Sequence, residues 1–333
     1  MTEMGSSVGV IGGGAWGTAL ATVAARAGRD VMIWARDPET VESISRRHEN
    51  ASRLPGIALD PAIRATGDFA EVAVQDILIL AVPAQTVRQT LEAMAEHVLA
   101  DRPVTLAAKG LERATEAFLS EVVSQTLPNN PVAVLSGPSF AVDVARGLPT
   151  AVTLACADTE TGRDLVRMLG HPAFRPYRSE DMVGTQLGGA VKNVLAIACG
   201  IVEGRELGAS AHAALIARGF AEMNRLGQAL GARTETLAGL SGLGDLVLSG
   251  TNAQSRNFSF GIELGRGGSV AAILGTRKAV TEGVWTAPAV VRRARAAGVE
   301  MPISSAVAAV VEGEMDVEAA IEGLLSRPFR EEG

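Results

Sequence analysis

Val8-Gly9-Val10-Ile11 runs directly into Gly12-Gly13-Gly14-Ala15-Trp16-Gly17, and small apolar residues follow through Ala27. A short β-branched run, a glycine turn and a helical stretch in that order leave few folds open. The glycines match G-x-G-x-x-G as Gly12, Gly14 and Gly17. The first admits a tight turn, the second lets backbone approach a pyrophosphate, and the third permits close helix–strand packing. The N-terminus of the helix then offers free N–H groups to phosphate oxygens. The order predicts a strand over Val8–Gly12 and a helix over Gly14–Ala27, the start of a dinucleotide-binding βαβ unit.

The pattern continues downstream. Asp30–Trp34 reads as a strand and Pro38–His48 as a helix, with Pro38 suited to a first helical turn. Asp76–Val82, Pro103–Ala108, Val132–Leu135 and Thr150–Ala155 are further apolar runs of strand length. Continuous rather than alternating hydrophobicity means burial on both faces, as in a parallel sheet. Strands alternating with helices imply a doubly wound α/β domain. After about residue 180 the texture changes to long Ala-, Gly- and Leu-rich helical stretches, and strand signals nearly vanish. At 333 residues two domains are the natural expectation. The fold class is therefore α/β, an N-terminal Rossmann doubly wound sheet over 1–179 followed by an all-helical domain over 180–330. The boundary is set just after Arg175-Pro176-Tyr177-Arg178.

The net charge of −7 gives no footprint for nucleic acid or an anionic membrane, so cationic groups for any anionic ligand must be concentrated locally. Cys156 and Cys199 lie in apolar runs and read as reduced and buried. The four histidines are scattered, and no metal site is expected. No secretory signal is visible, which points to the cytoplasm.

Lys192 is the only charged residue between Val183 and Val202. An ammonium ion in apolar surroundings loses water stabilisation and moves toward a pKa at which it exchanges protons. The run is about long enough to span a membrane, but Lys192, Asn193, Gln186 and four glycines argue against that. On this segment alone the lysine either snorkels out of a buried helix or has a task. Three polar clusters stand elsewhere. Lys109-Gly110 follows a buried strand, where open α/β sheets place ligand loops. Ser136-Gly137-Pro138-Ser139-Phe140-Ala141 follows the next strand. Gly242-Leu243-Gly244-Asp245 leads on to Ser255-Arg256-Asn257, a fork and two hydrogen-bonding tips that suit a phosphate. Asp245 is a carboxylate partner for Lys192. At the end of the second strand, Arg36 stands where a 2′-phosphate would lie, and Asp37 is placed to cap the next helix. That order favours NADP(H), with NAD(H) use possible.

The collinear segments GGGAWGTAL, KGLE, SGPSFAVDVARGLPTA, GGAVKNVLAIACGI, GLSGLGDLV, SRN and TEGV resemble the bacterial NAD(P)H-dependent glycerol-3-phosphate dehydrogenases over nearly the whole chain. The resemblance implies reversible reduction of dihydroxyacetone phosphate to sn-glycerol 3-phosphate for glycerophospholipid synthesis, usually by a homodimer. Carried over by position, it makes Lys192 the proton donor and acceptor. Trp16, Arg36, Lys109, Ala141, Arg256, Val280 and Glu282 would contact the cofactor, together with the glycines of the turn. Lys109, Gly137, Ser139, Lys192, Asp245, Ser255, Arg256 and Asn257 would surround the substrate. Ala15 stands where several relatives carry serine. Ser210 and His212 replace an asparagine and a basic residue, and Phe258 follows SRN where arginine is frequent. A Rossmann-plus-helical dehydrogenase of the β-hydroxyacid type is the nearest rival, and SRN with SGPSFA favours a phosphorylated substrate over it.

Overall fold

The computed structural model describes residues 6–277 and 280–328. Eight strands form one sheet: β1 (Ser7–Ile11), β2 (Asp30–Trp34), β3 (Arg64–Thr66), β4 (Ile77–Leu80), β5 (Val104–Leu106), β6 (Val132–Ser136), β7 (Thr150–Cys156) and β8 (Phe174–Ser179). Their spatial order is β3-β2-β1-β4-β5-β6-β7-β8. From β3 to β6 every pairing is parallel. The β1–β2 register runs from Ser7↔Asp30 to Ile11↔Trp34. The expected doubly wound sheet is present. Its far end departs from expectation, because β7 pairs antiparallel with β6 and β8 pairs parallel with β7.

Burial on both faces is visible within a single strand. Ile77 and Ile79 of β4 enter one apolar cluster, while Leu78 and Leu80 enter the other. Successive side chains of a strand point to opposite faces, so an unbroken apolar run needs a layer on each side. The helices Ala15–Arg26 and Val87–Met94 supply such layers, the first to the cluster of Ile77 and the second to that of Leu78.

Two strands carry no strand-like pattern in the sequence. β3 has three residues. β8 contains Arg175, Pro176 and Arg178, the same segment that reads as an interdomain boundary. Both lie at sheet edges. Edge strands tolerate proline and charge, which discourage pairing with other chains.

The chain divides into a sheet unit, Met1–Lys109 with Ala117–Gln186, and a helical unit, Gly110–Glu116 with Leu187–Gly333. The division falls inside the helix Met182–Gly204. The seven residues Gly110–Glu116 belong to the second unit although they lie far upstream in sequence. Met182–Gly204 is long and apolar enough to cross a membrane, but 83% of its most apolar window is buried inside the protein. It is a core helix. Glu222 of the helix Ala209–Ala229 is buried, and its carboxylate accepts from the N–H groups of Ile303 (2.6 Å) and Ser304 (3.1 Å). It thereby satisfies the first turn of Pro302–Glu312.

Candidate active site

In the sheet unit, β1 delivers the glycine turn to the start of the helix Ala15–Arg26. Gly12 has φ +128°, and a Cβ there would lie 2.7 Å from the Ala81 carbonyl oxygen. A Cβ on Gly17 would lie 1.9 Å from the Gly12 carbonyl oxygen, so only glycine fits. A Cβ on Gly14 would meet nothing within 4 Å. Gly14 is also the N-cap, and no side chain caps the helix. The turn thus leaves open space at an uncapped helix N-terminus, and that combination fits a pyrophosphate. Asn50 holds the turn from outside. Its Nδ2 donates to the Gly13 carbonyl (2.9 Å) and to Thr18 Oγ1 (2.8 Å). Nothing in the sequence marks Asn50, since it reaches the turn only through the hairpin of Glu49–Asn50 with Leu54–Ala58.

Trp16 is half-buried, and its Nε1–H donates to the Ala107 carbonyl (3.2 Å). That leaves the ring for any ligand contact. At the end of β2, Arg36 and Asp37 are exposed. Asp37 caps the helix Pro38–Arg47, accepting from Glu39 N–H (3.2 Å) and Thr40 Oγ1–H (2.8 Å). The Thr40 hydroxyl bond, more than any other contact, lowers the Asp37 pKa below the usual carboxylate value. Lys109 Nζ donates to the Gly137 carbonyl (2.9 Å), and so does Ser139 Oγ (3.0 Å). Gly137 has φ +147°, and a Cβ there would lie 2.9 Å from Val152 Cα. The structure therefore gathers Lys109, Gly137 and Ser139 around one carbonyl. Ala141 opens the helix Ala141–Arg146 that follows.

In the helical unit, Lys192 is 8% exposed and Asp245 1% exposed. Lys192 Nζ lies 3.0 Å from Asp245 Oδ1 and donates to Ser249 Oγ at 2.7 Å. Ser249 Oγ in turn lies 3.3 Å from Asp245 Oδ1. The sequence pairs the lysine with Asp245. It does not identify Ser249, which reaches the pair only because it lies one helical turn beyond Asp245 in Asp245–Gly250. A π-helical turn, Leu240–Gly244, precedes that helix. Gly188 lets Met182–Gly204 approach the turn, since a Cβ there would stand 2.6 Å from the Ser241 carbonyl oxygen. A lysine isolated in an apolar run is thus a buried cation set against a buried carboxylate. Coulomb attraction and a hydroxyl acceptor compensate its lost hydration.

Ser255 caps the helix Arg256–Gly265 through its bond from Phe258 N–H. Asn257 is buried. It donates to Asn193 Oδ1 (2.8 Å), and its own Oδ1 accepts the Gly283 N–H (2.9 Å). Asn193, next to Lys192, therefore ties the lysine's helix to the residues after Ser255. Arg256 is exposed at the surface, yet surrounding protein lowers its pKa by desolvation, and the Glu282 carboxylate opposes that shift. Glu282 opens the helix Glu282–Ala296, and Val280 is exposed two residues before it. His212 and Phe258, two positions where this chain departs from its resemblance, stack with ring centroids 5.9 Å apart.

The geometry can be compared with known proteins. A family model described as NAD-dependent glycerol-3-phosphate dehydrogenase N-terminus matches residues 7–162, and one for the C-terminus matches 181–322. The chain is 55% identical over 332 residues to a glycerol-3-phosphate dehydrogenase (NAD(P)+) of Parvibaculum lavamentivorans, covering 100% of each. It is 56% identical to one of Caulobacter vibrioides, covering 98% of each. The crystal structure of a glycerol-3-phosphate dehydrogenase from Coxiella burnetii aligns with TM-score 0.92 at 37% identity, covering 96% of this chain and 99% of that one.

Proposed function

Because this chain belongs to the NAD-dependent glycerol-3-phosphate dehydrogenase family, we propose a role in that reaction for the residues gathered in each unit. The protein is an NAD(P)-dependent oxidoreductase acting on a CH–OH group. It transfers hydride reversibly between NAD(P)H and dihydroxyacetone phosphate, giving sn-glycerol 3-phosphate for glycerophospholipid synthesis.

The nicotinamide, when bound, supplies or takes the hydride at the substrate's C2. Gly12, Gly14 and Gly17 receive the pyrophosphate on the helix N-terminus, and Arg36 takes a 2′-phosphate. Trp16, Lys109, Ala141, Arg256, Val280 and Glu282 complete the cofactor contacts. Lys192 Nζ stabilises the charge that develops on the C2 oxygen and gives it a proton. In the reverse direction it takes that proton back. Asp245 and Ser249 hold the ammonium in one orientation. Arg256 and Asn257 bind the phosphate, Asn257 with the amide hydrogen that Asn193 does not use, and Ser255 sets the turn that presents them. Binding energy from the phosphate then serves to position the carbonyl. Lys109, Gly137 and Ser139 are the sheet unit's contribution to substrate binding.

One observation carries the assignment of Lys192: a buried ammonium 3.0 Å from a buried carboxylate and 2.7 Å from a buried hydroxyl. Lys192→Ala is expected to lower turnover by roughly 10²–10⁴, the range for a positioned proton donor. NADPH binding, followed by its fluorescence, should survive. Near wild-type turnover in that variant overturns the assignment. The same reading makes the protein a cytoplasmic homodimer, whose mass sedimentation equilibrium tests.

A further inference from the structure

The helical unit reaches back for seven residues, Gly110–Glu116, and fastens them to one helix. Arg292 of Glu282–Ala296 donates through Nε to Glu116 Oε1 (2.5 Å) and through Nη2 to the Arg113 carbonyl (2.9 Å). Arg293 Nη1 donates to the Glu116 carbonyl (2.8 Å). The Arg113 guanidinium lies 5.1 Å from the centre of the Trp285 ring. Leu111 is fully buried. Glu116 holds φ +62°, a left-handed conformation that costs a residue bearing Cβ and persists only where surroundings enforce it.

The segment begins directly after Lys109, the last residue of its stretch of the sheet unit. The helix that grips it also receives Asn257 at its first turn, through the Gly283 N–H. One helix therefore fixes both the residues after Ser255 and the backbone that leads out of Lys109.

We infer that Gly110–Glu116 is a positioning strap, through which Arg292 and Glu116 set the placement of Lys109 for the phosphorylated substrate. The inference rests on the substrate role given to Lys109 above. Arg292 and Glu116 touch no reacting atom and act only through the strap. The ion pair is partly solvated, so its attraction alone adds little stability. Its geometry is what matters, because a guanidinium that bonds a carboxylate and a carbonyl together fixes direction as well as distance.

The test is a double-mutant cycle on kcat/KM for dihydroxyacetone phosphate at saturating NADPH. Arg292→Ala is expected to lower it about tenfold, the coupling of residues that act as one network. In a Lys109→Ala background, Arg292→Ala should cause no further loss. Arg292→Lys, which keeps charge but loses the fork, should recover part of the activity. Glu116→Gly is the second variant. Glycine suits the left-handed backbone, so it removes the carboxylate without threatening the fold, and it should reproduce the effect of Arg292→Ala. The strap is overturned if Arg292→Ala and Glu116→Gly both stay within about twofold of wild type, or if the losses of Arg292 and Lys109 multiply independently. Lys192→Ala in the same series separates the two readings. If it is crippled while the strap variants are silent, only the strap fails. If it is fully active, the functional assignment itself fails.

Discussion

At Lys192 a cation and an anion are buried together, and each makes the other tolerable. Removing one partner of such a pair leaves an uncompensated charge, which is far more damaging than losing the pair as a whole. Asp245 and Ser249 are therefore bound to the lysine for stability, besides their proposed part in proton transfer. Arg36 stands in a different situation, exposed at the end of β2 beside an acid that its own helix already uses. Both Asp37 oxygens accept local bonds, one from Glu39 and the other from Thr40. We propose that recognition of a 2′-phosphate then falls to Arg36. Arg36→Ala should raise the Michaelis constant for NADPH roughly tenfold or more, the size of one lost hydrogen bond to a charged group. The constant for NADH should move little. An unchanged NADPH constant in steady-state oxidation assays removes the argument. Much of this was legible in the sequence, since Asp37-Pro38 announces a helix start and an isolated lysine asks for a carboxylate. Ser249 and Asn50 were not legible. Each acquires its partner from folding, Ser249 through the register of a short helix and Asn50 through a hairpin far from the turn it holds.

At the scale of elements, glycine sets how closely helices approach. Gly200 and Gly204 of Met182–Gly204 meet Gly261 and Gly265 of Arg256–Gly265. A Cβ on Gly200 would lie 2.1 Å from the Phe258 carbonyl oxygen, and one on Gly261 would lie 2.1 Å from that of Ile197. The two helices thus touch backbone to backbone at a four-residue spacing. This contact explains the run that looks long and apolar enough for a membrane: its small residues serve a neighbouring helix. It also fixes the helix bearing Lys192 against the one that begins at Arg256. Gly261→Ala is expected to destabilise the protein by about 1–3 kcal/mol, the usual cost of overpacking. Denaturant unfolding checks it, and a loss below about 0.5 kcal/mol would show that the helices part without penalty. Sequence periodicity finds the helix bearing Lys192 but neither Arg256–Gly265 nor this crossing, because contact between segments leaves no local pattern. The same reasoning covers β8. Its proline and arginines read as a linker, and only its place at the sheet edge makes them acceptable in a strand.

The whole molecule follows from the order in which strands enter the sheet. The chain builds outward from β1 to β3, returns to β4 and continues the other way, so the direction of growth reverses between β1 and β4. The glycine turn leaves β1 at that point, where open α/β sheets bind their ligands. That the sheet is doubly wound is readable in advance from the alternation of apolar runs and helices, whereas the strand order and the excursion Gly110–Glu116 are not. The excursion contains no named helix or strand and no composition shift, and its contacts with Trp285, Arg292 and Arg293 mark the unit it belongs to. A fragment ending at Gln186 carries that segment without the helix that grips it. The consequence reaches beyond folding. Two modules joined at one point can be exchanged between genes by one recombination event. Here a single breakpoint near residue 186 would hand a new partner half of someone else's fastening, so these halves are expected to be inherited together.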